Sequence, residues 1–364
     1  MTKILISGYY GFDNVGDDAV LYGIISSIQK MNPTIQFRVL SNQVDKTSQL
    51  FAIPTFDRWN LFEIIKQIIK ADLVILGGGT LLQDRTSPRS PLYYLGITFF
   101  AKLFRKPVLY YGQGFGPIIH PLSRRLIPLI VNRVDAITVR DKQSAEEMRN
   151  YGVTKTSIYT TADPALTIDP REPNMEEAKK LLRSYQVDLE KPIAFVAVRD
   201  WKKEQDYKQA LAKACDHLVQ KGWQVVFLAM QNQDDLIPSL DIIVKMKEKG
   251  IVIEQPLSFK EIMGLIGVGQ LTIGMRLHAI IFSAVMNVPF IPISYDPKID
   301  RFAESFGKYP VEDIQQLKAE RLIDQIDRVI ADLSKEKKQI RETMKTIAKQ
   351  AAKSAEIVFQ VLKQ

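Results

Sequence analysis

Thr272-Ile273-Gly274-Met275-Arg276-Leu277-His278-Ala279-Ile280 reads as a strand running into a glycine turn and then a helix. The apolar run Leu271–Gly274 is short and continuous, and Phe290–Ser294 is another such run just beyond the helix. Runs of this kind suit strands buried on both faces of a parallel sheet. A helix between two of them is the βαβ connection that such a sheet needs. Working upstream, Ile193–Val198, Gln224–Met230 and Ile251–Glu254 repeat the pattern, with helical segments between. Further back an earlier series appears: Lys3–Gly8, Phe37–Ser41, Asp72–Leu76, Pro107–Tyr111, Ala136–Arg140 and Ser157–Thr161. Between the two series lies Ile168–Asn174, with two prolines and several charges, which reads as a linker. The expected fold class is therefore α/β, with two Rossmann-like doubly wound domains facing a cleft. The expected domains are 1–168 and 169–335, with 336–364 a basic helix packing back on the N-terminal domain. Ligands of open α/β sheets bind beyond the carboxyl ends of the strands.

Composition narrows the function classes. The 364 residues are 46% hydrophobic and 25% charged, ordinary values for a globular chain. The single cysteine, Cys215, allows no intramolecular disulfide, and no Cys/His cluster points to zinc, so no metal site is expected. The start, Met1–Gly8, reads as a strand rather than a secretory signal, and no run of 18 apolar residues is present. A cytoplasmic location is expected. The net charge is +8, and Ala331–Gln364 carries eight Lys/Arg against four Asp/Glu in a helical pattern. That tail is either a solvated basic face or a surface resting near anionic lipid. Pro91–Lys106 is an apolar helix with a basic end: a core helix whose cations snorkel outward or, together with the tail, a peripheral contact with the inner face of the plasma membrane. No basic-aromatic groove motif marks a nucleic-acid partner. Oligomeric state is not legible.

The strand ends carry the polar residues. After the first strand, Gly8–Asp18 forms a glycine-bearing turn ahead of an apolar helix from Ala19, which Asp17 or Asp18 can cap. Gly77-Gly78-Gly79-Thr80-Leu81-Leu82-Gln83-Asp84 follows the third strand and Gly112–Pro117 the fourth, so three glycine-rich loops share one sheet edge. Arg140 ends the next strand and Arg199 one in the second half; Lys298 follows the last strand. Each also has a plain structural reading as a turn, a cap or a surface pair. Of three histidines, His120 precedes a proline and His217 sits in a helix. Only His278 lies at a strand-to-helix turn beside a cation, where it is either an acid/base group or a buried helix-start residue.

SGYYGFDNVGDDAVL, GGGTLLQD, GQGFGP, the VRD strand end, TADPAL and GMRLHAIIFSAVMNVPFIPISYD occur in that order from residue 3 to about residue 300. Together they resemble the polysaccharide pyruvyl transferases, most closely the CsaB type linked to S-layer anchoring. The resemblance implies two halves similar to the B-type glycosyltransferase architecture. It also implies phosphoenolpyruvate as donor, a sugar diol as acceptor and, for that type, N-acetylmannosamine of a lipid-linked cell-wall polymer precursor. The expected donor set is Arg140, Arg276 and Leu277, with His278 as the proton-transferring group. Asn14, Asp17, Gly78, Gly79, Gln83 and Asp84 are weaker expectations for the acceptor. No cofactor is expected, phosphoenolpyruvate being a substrate; the chemistry does not require Mg²⁺, though it could use it. Two alternatives share the fold: a nucleotide-sugar glycosyltransferase and a non-catalytic envelope-assembly protein.

Overall fold

The structure is a computed structural model that describes residues 1–363 apart from residue 86, residues 202–205 and residues 311–313. The chain divides into two compact units, Met1–Ile168 with Ile347–Gln364, and Asp169–Thr346. Each has its own parallel sheet, as the restart of strand-helix alternation implies.

Among the described residues, the first unit's sheet has seven strands: β1 Lys3–Ser7, β2 Gln36–Ser41, β3 Thr55–Asp57, β4 Leu73–Leu82, β5 Val108–Phe115, β6 Ala136–Val139 and β7 Ile158–Thr160. Their order is β3-β2-β1-β4-β5-β6-β7. The connecting helices are α1 Val15–Met31, α2 Val44–Phe51, α3 Leu61–Lys70, α4 Arg89–Leu103, α5 Pro121–Val131 and α6 Lys142–Asn150. The chain steps one way from β1 to β3 and the other way from β4 to β7. With right-handed crossovers this puts α1 and α2 on one face and α3 to α6 on the other. The packing agrees. One buried cluster joins Ile64 and Ile68 of α3, Leu95 of α4, Ile127 of α5 and Met148 of α6 to the strand residues Val74, Tyr110, Ile137 and Val139.

Three local expectations are corrected. β3 has no apolar run of its own, because only Phe56 in Thr55–Asp57 is a large apolar residue; pairing with β2 makes it a strand. The glycines Gly77–Gly79 and Gly112–Gly114 are not loops beyond strands but lie inside β4 and β5, whose pairing changes register at Gly79/Leu82. At Gly78 φ is +53°, and a Cβ there would lie 1.9 Å from Cγ1 of Val20. The close neighbour that demands glycine is thus α1, packed on the sheet. Finally, α1 begins at Val15 rather than Ala19. Asn14 is extended and its side-chain oxygen accepts from the Gly16 amide, so Asn14 is the cap and Asp17 and Asp18 occupy the first turn. Carboxylates are favourable there because the exposed amides carry partial positive charge.

The second unit's sheet is ordered β10-β9-β8-β11-β12: β8 Ile193–Ala197, β9 Gln224–Leu228, β10 Gly250–Ile253, β11 Leu271–Gly274 and β12 Phe290–Pro292. Its helices are α7 Met175–Ser184, α8 Asp206–Gln220, α9 Asn232–Lys245, α10 Phe259–Val268, α11 Leu277–Val285, α12 Pro297–Ser305 and α13 Ala319–Ala331. A last helix, α14 Leu333–Leu362, starts in this unit, where the Gln339 side-chain amide donates to the Phe306 carbonyl at 2.9 Å. It ends in the first unit, where Ser354 hydrogen-bonds Thr138 at 3.0 Å and Thr161 at 2.8 Å. In β6, Ile137 and Val139 face the cluster under α3–α6, so Thr138 faces the other way. The end of α14, from Ile347, therefore lies on the opposite face of that sheet from α4.

Candidate functional site

Strand order reverses between β1 and β4 in the first unit and between β8 and β11 in the second. Such reversals open the crevice in which α/β sheets receive ligands.

In the second unit β11 ends at Gly274, and Arg276 is the N-cap of α11. Leu277 and His278 are its first two residues, so their amides have no acceptor within the helix. Leu277 is buried and His278 half-buried, its ring 6.1 Å from that of Phe282. The Arg276 guanidinium grips Asp235, with Nε 3.1 and 2.9 Å from the two carboxylate oxygens. Asp235, fully buried in the first turn of α9, also accepts from the amides of Met230 and Gln231 at 3.0 Å each. Beyond β8, Arg199 donates from Nη1 to the Tyr295 hydroxyl at 3.0 Å and lies 4.9 Å from the centre of its ring. Lys298 is 5.8 Å from the same ring centre. Burial works to raise the Tyr295 phenol, yet Lys298, Arg199 and Arg276 outweigh it and hold the phenol below its ordinary range. Three cations from three strand ends thus act on one phenol, beside the N-terminus of α11 and a histidine. Of these cations Arg276 is already paired with Asp235 and Lys298 lies 3.8 Å from Asp296, while Arg199 is held by the Tyr295 hydroxyl.

In the first unit, Asn14 and Asp17 belong to the cap and first turn of α1. A Cβ on Gly79 would lie 3.3 Å from the Asp17 carboxylate, so the bulge in β4 and the start of α1 meet there. Burial pushes the Asp18 carboxyl up to about 6, against the pull of Lys46 and with help from Asp13. Gln83 is half-buried just past β4. Asp84 is buried and accepts from the amides of Ile119 and His120 at 2.6 and 2.9 Å, so its carboxylate ties down the chain after β5. Arg140 is mostly buried. It donates to Thr80 Oγ1 at 3.1 Å and Asp163 at 3.4 Å, with Asp141 at 3.8 Å. Gly114 gives it room, since a Cβ there would lie 2.8 Å from its Nη2.

The other histidines have structural duties: the His120 side chain caps α5 and His217 pairs with Asp327 at 2.8 Å. Sequence reasoning missed Asp235, whose partner is 41 residues away and whose local setting is an ordinary helix start. It also missed the buried Arg58, which donates to the Gly8 carbonyl at 2.9 Å and lies 4.3 Å from the Tyr93 ring centre. Beside Asp57 and Trp59 it reads as a surface turn. Among the described residues no cluster of three His, Cys, Asp or Glu side chains is placed to hold a metal ion.

Two parallel α/β sheets with polar residues at their switch-point edges define a Rossmann-like two-domain protein of B-type glycosyltransferase architecture. Solved structures of that kind match it. A glycosyltransferase from Rickettsia africae matches at a TM-score of 0.69 with 15% identity, covering 100% of this chain and 99% of that one. HepE from Anabaena in complex with UDP-glucose matches at 0.68 with 12% identity, covering 100% of both chains. The UDP-GlcNAc 2-epimerase from Neisseria meningitidis, bound to UDP-GlcNAc, matches at 0.67 with 13% identity, again over 100% of both. The chain belongs to the polysaccharide pyruvyl transferase family, whose model matches residues 14–297. A relative, the amylovoran biosynthesis protein AmsJ of Erwinia amylovora, is 22% identical over 93% of this chain and 94% of its own length. This supports the family and transferase activity in polysaccharide biosynthesis, but not the CsaB type.

Proposed function

We propose that the protein transfers a pyruvyl group from phosphoenolpyruvate to two hydroxyls of a sugar, forming a cyclic ketal and releasing phosphate. The observation that carries the reading is the turn after β11, where Arg276 is the N-cap of α11 and His278 lies in its first turn. Phosphoenolpyruvate presents a carboxylate and a phosphate on three carbons. Arg276, the Leu277 and His278 amides, and the cations around Tyr295 are the donor types such a ligand needs. Arg140 is assigned a donor-binding role on the family resemblance. In the first unit Asn14 and Asp17 lie at the start of α1, Gly78 and Gly79 inside β4 against that helix, and Gln83 and Asp84 just past β4, and the acceptor is proposed to bind there. Asp84 and Gly78 act by holding backbone in place.

The reaction begins with a proton passing from His278 to the methylene carbon, which leaves cation character on the neighbouring carbon. One sugar hydroxyl adds to that carbon and loses its proton. Phosphate departs with the electrons of its C–O bond and takes up the proton released by the first hydroxyl, and the second hydroxyl closes the ketal while its proton returns to His278. An imidazole is a suitable proton donor for the first step. The acceptor is proposed to be N-acetylmannosamine of a lipid-linked cell-wall polymer precursor, and the site of action cytoplasmic.

The second reading is nucleotide-sugar glycosyl transfer, favoured by the UDP-bound fold relatives. Ligand-dependent melting separates the two. Stabilisation by phosphoenolpyruvate and not by UDP-sugars is expected; the reverse pattern would replace the first reading with the second.

A further inference from the structure

Residues 61–135 hold ten Lys/Arg against four Asp/Glu, a net charge of +6 beside +8 for the whole chain, and Asp135 is paired with Lys102 at 2.8 Å. They include α3, α4 and α5, neighbouring helices on one face of the first unit's sheet. On these three helices the one acidic residue is Glu63, which is already engaged by Lys66 and Gln67. Large apolar side chains stand outward among the cations. Phe62 of α3 is 89% exposed, Leu103 of α4 60% and Leu129 of α5 55%. Lys70 closes α3, Arg105 and Lys106 follow α4, and Arg124 and Arg125 lie on α5. The inward sides of the same helices are filled by the buried cluster under them, so packing the core does not require these outward residues.

From this the geometry points to the outer face of α3, α4 and α5 as a docking surface for an anionic phospholipid bilayer. Single apolar tips set between cations fit the headgroup boundary, where rings and aliphatic chains enter the acyl region and ammonium and guanidinium groups stay at the phosphates. No helix among the described residues is long and apolar enough to cross a membrane, so the contact is peripheral. The basic end of α14, on the opposite face of this sheet, has no part in it. The inference does not rest on the proposed reaction, and its test reads binding rather than turnover.

The test is co-sedimentation of the full chain with vesicles of phosphatidylcholine containing phosphatidylglycerol, against pure phosphatidylcholine, at low salt. Binding only to the anionic vesicles is expected, weakening as salt rises. Lys70→Ala and Arg125→Ala should each weaken it about fivefold. Phe62→Ser with Leu103→Ser should weaken it at least about tenfold. All four side chains are exposed, so unchanged melting confirms intact folding. Lys349→Ala with Lys353→Ala, on α14, should leave binding unchanged. Absence of binding to the anionic vesicles would overturn the proposal, as would binding lost with the α14 pair and kept in the α3–α5 variants. A self-association in sedimentation velocity that Phe62→Ser with Leu103→Ser abolishes would assign the face to a second copy of the chain instead.

Discussion

Arg276 is held by both carboxylate oxygens of Asp235, a residue 41 positions away on another helix of the same unit. The same carboxylate accepts the amides of Met230 and Gln231. The turn after β9 therefore sets the direction of the cation after β11. Asp235→Ala strands a largely buried guanidinium and two amides, and should cost about 3–5 kcal/mol in urea-induced unfolding. A loss below about 1 kcal/mol would mean that the pair does not anchor Arg276.

Gly78 shows that the β4 bulge is shaped by packing. Gly78→Ala combines a left-handed backbone with a Cβ overlapping Val20, and should destabilise by about 2 kcal/mol or more. Adding Val20→Ala should recover the steric part and leave the backbone part. If Val20→Ala and Gly78→Ala simply add, the overlap is not what demands glycine there.

Asp18 gives the first unit a pH signature. Burial is the main cause of its raised carboxyl, at about 6, with Lys46 opposing and Asp13 adding to it. A carboxyl raised above its unfolded value contributes stability that is fully present below about pH 4 and is lost as pH rises through about 6. Asp18→Asn should thus be more stable than the parent at about pH 8, by about 1–3 kcal/mol, and equal to it near pH 4. Melting curves at the two pH values check this; an equal difference at both would contradict the shift.

The alternation of short apolar runs with helical spacing was enough to read two parallel sheets, and the glycine after Ile273 was enough to place Arg276 and His278 at a helix start. Other features depend on contacts distant in sequence. β3 is a strand only because β2 lies beside it. The glycines of β4 looked like a loop because the sequence does not reveal that Tyr10 and Val20 press against them. Asp235 and Arg58 carry no local signal, since a carboxylate in a first helical turn and an arginine beside a tryptophan are common surface features. Asp84 was legible as a polar residue after a strand, but its two backbone partners were not.

The proposed roles of Arg276, Arg140 and His278 predict different kinetic damage. Arg276→Ala and Arg140→Ala should each raise the KM for phosphoenolpyruvate and lower kcat, because a contact to an anion is lost before and during the reaction. His278→Ala should mainly lower kcat, by ~10²–10⁴-fold. His278→Gln, which can donate a hydrogen bond but cannot deliver the proton, should not restore it. A folded His278→Gln protein with near-parental kcat would reduce His278 to a brace for α11.

Pyruvyl transfer is defined by the two carbon–oxygen bonds it makes to the sugar. Purified protein incubated with phosphoenolpyruvate and a synthetic lipid-linked disaccharide should release one phosphate per acceptor consumed. The product should show, by carbon–proton correlation NMR, a quaternary ketal carbon bearing a methyl and a carboxylate and correlated through three bonds with the protons on two oxygen-bearing sugar carbons. Phosphate release with a single-point enolpyruvyl ether, or transfer from a UDP-sugar with no reaction of phosphoenolpyruvate, would contradict this reaction.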